Sequence, residues 1–152
     1  MKRTNIHRVL VLVLLLAVTA AGAAAGPASA AVMDLHYIKV NMTGAAEAPG
    51  PGDPDGFGTA YFEFSPSRGR LCFKLVVDQI APATAAHIHR APAGSPGPVV
   101  IPLNAPTDGF SKGCRDVAPE LIKEILEFPA RFYVNVHNAE FPAGAVRGQL
   151  GD

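Results

Sequence analysis

The chain has 152 residues with 13 basic and 13 acidic side chains, a formal charge of zero, and is 49% hydrophobic. That length suits a single domain with a real core and is short for two. The even balance leaves no basic stripe to neutralise phosphates, which argues against nucleic acid as a partner.

The first thirty residues read as a secretory signal peptide. Lys2, Arg3 and Arg8 form a basic start, residues 9–25 form an apolar run rich in leucine and alanine, and Ala28-Ser29-Ala30 is a small-residue cleavage site. A membrane anchor is the alternative, since the run approaches spanning length. The Ala-x-Ala ending suits a peptidase better. Cleavage after Ala30 leaves residues 31–152 as one exported domain with no stable membrane anchor. Its formal charge is −3 once the three leader cations are removed from the balance of 13 and 13. Such a domain is expected outside the cytoplasm, in the cell envelope or beyond it.

Residues 34–43 alternate, with His36, Ile38, Val40 and Met42 on one face, which predicts a strand. Residues 44–58 are rich in glycine and proline and carry Glu47, Asp53 and Asp55, so a loop is expected there. Two strands follow over 59–65 and 70–78. The first places Ala60, Phe62 and Phe64 on one side, the second Leu71, Phe73, Leu75 and Val77. The five residues from Ser65 to Gly69 make a hairpin-length turn between them. Cys72 falls on the face opposite Leu71 and Phe73. In an exported chain a disulfide from Cys72 to Cys114 is expected, running to a covering loop; two buried free thiols are the alternative.

His87 and His89 stand at i and i+2 in the next strand-like segment. Extended backbone points both to one face with Cβ atoms roughly 7 Å apart, and Ile88 to the other. A stiff turn-rich stretch leads to a short strand over 99–103, which Pro102 places at a sheet edge or a bulge. Residues 104–113 read as a loop. Residues 119–127 form the one helix candidate: Leu121, Ile122, Ile125 and Leu126 make an apolar stripe, Pro119 suits the first turn, and Pro129 follows the end. The helix is expected as a lid on one end of the sheet. Residues 131–138 and 143–150 close the chain as two strands. The first sets Asn135 and His137 opposite Val134 and Val136.

About seven short strands and one short helix predict an all-β fold. The expected architecture is a small antiparallel β-sandwich or barrel, of the superoxide-dismutase-like or immunoglobulin-like kind.

Several ordered motifs carry a family resemblance. Ala86-His87-Ile88-His89 is followed by Gly94-Ser95-Pro96-Gly97-Pro98-Val99-Val100. Tyr133-Val134-Asn135-Val136-His137-Asn138 then precedes Phe141-Pro142-Ala143-Gly144-Ala145-Val146-Arg147-Gly148-Gln149-Leu150. Together with Gly44-Ala45-Ala46-Glu47-Ala48-Pro49 and Gly56-Phe57-Gly58-Thr59-Ala60, these resemble the CHRD domain family, named after the repeats in chordin. The resemblance implies a binding module that recognises an extracellular protein. It brings no settled biochemical activity with it, and chordin's growth-factor partners do not carry over to a lone exported domain.

The candidate site is His87, His89 and His137. Neutral imidazole is the commonest metal ligand, and a His-x-His strand with a third histidine supplies the trio of an open zinc or copper site. His36 is a candidate fourth ligand. Superoxide dismutase of the Cu/Zn type is similar in using a His-x-His strand, but a bridging histidine and a second metal loop are missing here. Glu47, Asn135, Arg147 and Gln149 are read as structural polar residues, with a buried Arg147–Glu47 ion pair expected to pin the loop of Glu47. No catalytic nucleophile is recognisable, and no glycine-flanked serine elbow is present.

The leading reading is a non-enzymatic exported binding module whose histidines hold copper, zinc or a small polar ligand. One alternative is a copper-dependent redox enzyme of dismutase or oxidase type. The other is an inert envelope or matrix protein with structural histidines.

Overall fold

Alternation of apolar and polar residues builds eight strands in the computed structural model, which describes residues 34–151. The signal peptide assigned to residues 1–30 lies outside the described residues. The strands are β1 (His36–Thr43), β2 (Phe57–Ser65), β3 (Arg70–Asp78), β4 (Ala83–Arg90), β5 (Val99–Leu103), β6 (Phe110–Asp116), β7 (Phe132–Asn138) and β8 (Val146–Gln149). One helix, α1 (Pro119–Glu127), separates β6 from β7. No helix among the described residues is long and apolar enough to cross a membrane.

All pairings are antiparallel and the strands join in the order β5-β4-β7-β8-β1-β2-β3-β6. At its middle the sheet is held by one pair in register, Thr43 on β1 with Arg147 on β8. Both halves contribute to one hydrophobic core, including Phe62, Phe64, Leu71 and Leu75 from one side and Ile88, Ile101, Val134 and Val136 from the other. The edge strands are drawn together as well. Arg115 Nε on β6 donates to Pro102 O on β5 at 3.0 Å, and Asn104 Nδ2 just past β5 donates to Lys112 O on β6 at 3.1 Å. The result is a nearly closed small barrel whose edges are covered by side chains rather than left open to pairing.

The predicted faces hold. Ala60, Phe62 and Phe64 on β2 and Leu71, Phe73, Leu75 and Val77 on β3 are all buried. The β2–β3 turn is closed by Gly69 at φ 58°, a left-handed conformation that suits glycine. Pro102 does sit on an edge strand, opposite His87. Helix α1 buries Ile122 and Ile125 in the core and ends before Pro129, and Arg90 Nη2 on β4 ties it down through Glu124 Oε2 at 2.6 Å.

Two expectations need correction. The loop assigned to residues 104–113 ends at Gly109, because Phe110–Asp116 pairs with β3 along its length. Glycine at 113 hid this strand: Gly113 faces Phe73, and a Cβ there would stand 3.1 Å from the ring. In consequence the Cys72–Cys114 disulfide does not reach a covering loop. It joins residues directly opposite on adjacent strands, with Cα atoms 4.0 Å apart.

Candidate metal centre

Strands β4 and β7 are neighbours, and their register decides what the histidines meet. His87 lies opposite Asn135, His89 opposite Tyr133, and Ala85 opposite His137. Residues directly opposite in an antiparallel pair share a face. Strand β8 extends both rows, since Asn135 lies opposite Arg147 and Tyr133 opposite Gln149. The other face of the same strands carries Ala86, Ile88, Val134 and Val136, which fill the core. The histidine face therefore looks away from the core and is covered by loops.

Those loops come from three places and each touches the site through main-chain atoms or Glu47. His89 Nδ1 bonds Gly97 O at 2.8 Å, and His137 Nδ1 bonds Pro142 O at 3.1 Å. Gly97 is needed at its position, because a Cβ there would stand 2.1 Å from Arg90 O. Glu47, from the loop after β1, presses its Oε1 against Gly144, where a Cβ would lie only 2.2 Å away. Gly144 also has φ 152°, so its glycine is required twice over.

The structure gathers His87, His89 and His137 into one group whose candidate ligand atoms all lie within 4.8 Å of one another. A carbonyl can only accept, so the bonds to Gly97 and Pro142 place the single hydrogen of each neutral ring on Nδ1. The Nε2 atoms of His89 and His137 are left as lone pairs facing the group. His87 Nδ1 stands 3.2 Å from His137 Nε2 and can give it a hydrogen. Asn135 Oδ1 stands 3.0 Å from the same nitrogen. His89 Nε2 is buried and has no hydrogen-bond partner among the described residues.

Burial keeps these rings neutral. It lowers His87 to about 4, with the neighbouring His137 and His89 adding to the effect. Burial likewise lowers His89 and His137. Neutral imidazoles with the outer nitrogen fixed by a carbonyl are what metal ligation requires. Glu47 responds in the opposite sense: burial raises its carboxyl to about 7, against the opposing pull of the Arg147 charge and the Ala48 N–H.

The expected Arg147–Glu47 ion pair is absent. Both side chains are buried, but the ion pairs among the described residues are His36–Asp34 and Arg90–Glu124. Arg147 instead donates Nη1 to Ser95 O at 3.0 Å and Nη2 to Pro92 O at 2.9 Å, so it pins the loop after β4 rather than the loop of Glu47. Its guanidinium carbon lies 3.4 Å from the Tyr133 ring centroid. Gln149 Nε2 bonds Ala91 O and Ala130 O, both at 2.8 Å. His36 does not join the trio. It is exposed on β1, with Nε2 2.6 Å from Asp34 Oδ1. Tyr133, Gly97 and Pro142 were not anticipated as site residues. The alternation that exposed Asn135 and His137 extends back to Tyr133; which carbonyls close on the rings depends on loop paths that alternation does not encode.

Fold and site together define a small antiparallel β domain with a loop-covered histidine cluster on its outer face. The family model of the CHRD domain matches residues 38–150, and the chain belongs to that family. No curated protein and no solved structure matches this chain.

Proposed function

We propose that this CHRD-domain protein is an exported, non-enzymatic binding module whose His87, His89 and His137 hold one divalent copper or zinc ion. The observation that carries the reading is the locking of two rings from behind. With their Nδ1 hydrogens committed to Gly97 O and Pro142 O, His89 and His137 turn bare Nε2 atoms toward each other's neighbourhood and toward His87. A cation between them would also satisfy the buried Nε2 of His89 and ease the approach of Asn135 Oδ1 to His137 Nε2. The donors are imidazole nitrogens with an amide oxygen nearby and no thiolate, a set that favours Cu(II) or Zn(II) over Cu(I). The disulfide and the family support a location outside the cytoplasm, where the leader expected at residues 1–30 would take the chain.

A redox reading has one observation in its favour: His87 and His137 are only partly buried, so a further coordination position on a bound copper could reach solvent. It is separated from the binding reading by redox turnover with stoichiometric copper.

Titrating Zn(II) or Cu(II) into the chelator-treated protein and following thermal unfolding tests the proposal. At a hundredfold excess over Kd the folded state gains about 2.7 kcal/mol. A melting temperature indifferent to either ion would overturn the reading.

A further inference from the structure

The outer face of the other half of the sheet carries a row that no single segment of the chain reveals. Lys39 on β1 lies opposite Tyr61 on β2, Tyr61 opposite Lys74 on β3, and Lys74 opposite Lys112 on β6. All four side chains are exposed. The Lys74 ammonium sits 4.4 Å from the Tyr61 ring centroid and that of Lys39 5.9 Å, so the ring holds two of the three charges in line. None of the three lysines is in an ion pair; the ion pairs among the described residues are elsewhere. Apolar groups flank the row on the same face: Tyr37 is 70% exposed and Phe110 50%, with Val76 beside Phe110. Five of the seven large hydrophobic side chains most open to solvent, Phe57 and Tyr61 included, stand on these strands and point this way. An exposed apolar face of that kind marks a binding surface.

We propose that this face binds a linear polysaccharide carrying carboxylate groups, laid across the strands along Lys39, Tyr61, Lys74 and Lys112. Charge sets the occupant: three ammonium groups in line, outside the ion pairs of the described residues, select a polymer with spaced negative charges. Adjacent strands are about 4.8 Å apart, so the row repeats on the scale of one sugar ring in an extended polymer. Lysine offers compact point charges rather than the planar fork that reads phosphate in pairs, and Tyr37 and Phe110 offer exposed rings for the apolar side of a pyranose. The rings stand on either side of the line of charges, which admits a ribbon-like chain. This inference does not depend on the histidine site, which lies on strands β4 and β7.

Native gels cast with polygalacturonate, with neutral dextran, or with polyphosphate at equal charge concentration test it on the full exported chain. Retardation by polygalacturonate well beyond that by dextran or polyphosphate is expected. It should fall by about tenfold or more in K39A/K74A/K112A, because three charge contacts are lost. Tyr37→Ala should weaken retardation without changing its dependence on salt, and His87→Ala should leave it intact. Thermal melts of each variant confirm that folding is retained. Retardation by polyphosphate equal to that by polygalacturonate, no retardation by polygalacturonate, or full retardation of the folded triple variant would each overturn the proposal.

Discussion

The ring of His89 lies flat on the ring of Tyr133, with centroids 4.7 Å apart and 8° between the planes. Tyr133 is on the strand between His89 and Arg147, and the guanidinium carbon of Arg147 stands 3.4 Å from its centroid. A buried cation, an aromatic ring and an imidazole thus follow one another across three strands. The stack holds His89 in a plane that its single bond to Gly97 would not fix alone, and the positive charge beyond Tyr133 helps keep the imidazole neutral.

Tyr133→Ala removes a nearly fully buried ring and should destabilise the metal-free protein by about 3–5 kcal/mol. Tyr133→Phe loses only the long bond that the hydroxyl accepts from Gly97 N at 3.3 Å, so about 1 kcal/mol or less is expected. Urea denaturation of the two variants checks both figures. Equal losses would mean that the hydroxyl, not the stacked ring, organises this face.

Arg147 and Glu47 give a sharper contrast. The guanidinium satisfies the carbonyls of Pro92 and Ser95, so Arg147→Met should cost about 3 kcal/mol, with Arg147→Lys recovering the charge but not the fork. Glu47→Gln keeps the shape, gives up no ion pair and removes a carboxyl that burial holds against ionising, so at pH 7 it should stabilise rather than destabilise in the same denaturation measurement. Matching losses at both positions would restore the ion pair that the geometry denies.

Acid should weaken the metal-free protein. In the unfolded chain His87 takes up its proton near 6.5, in the folded chain only at about 4. Between those values the unfolded state holds more protons, so stability falls as pH is lowered through the window. His89 and His137 shift the same way. Glu47 works in opposition: its carboxyl titrates at about 7 folded against 4.5 as a model group, so its contribution is full below 4.5 and lost as pH rises to 7. Denaturation midpoints from pH 7 to 4.5 should therefore drop for the wild type, drop less for His87→Ala and drop more steeply for Glu47→Gln. Identical curves for wild type and His87→Ala would contradict the burial of a neutral ring.

Reducing the Cys72–Cys114 bond should cost about 4 kcal/mol, the chain-entropy value for a closed loop of 42 residues. Comparing denaturation of the oxidised protein with that of C72S/C114S measures it. A loss below about 1 kcal/mol would mean that the paired strands β3 and β6 already restrict the unfolded chain there.

Much of this was legible in the sequence because period-two patterning is strong where one strand face fills a core. Ala60, Phe62 and Phe64, or Val134 and Val136, declare their side without help. The shared face of His87 and His89 followed from the same rule. That β4 neighbours β7, which completes the trio, did not, since pairing between distant strands is set by packing of the whole barrel. Strand β6 was hidden because Phe110–Asp116 turns mixed polar residues to both sides at a sheet edge and contains Gly113. The Arg147–Glu47 expectation failed for a physical reason: two carbonyls of a folded-back loop met the guanidinium first, and a carboxylate raised to about 7 is a poor partner for it.

Metal analysis of the protein, purified without a histidine tag from its native source, tests the central claim most directly. Near-stoichiometric copper or zinc, lost in H87A/H89A while that variant still melts cooperatively, is the predicted result. No metal in the wild type, or the same metal content in the folded variant, would contradict a metal centre at His87, His89 and His137.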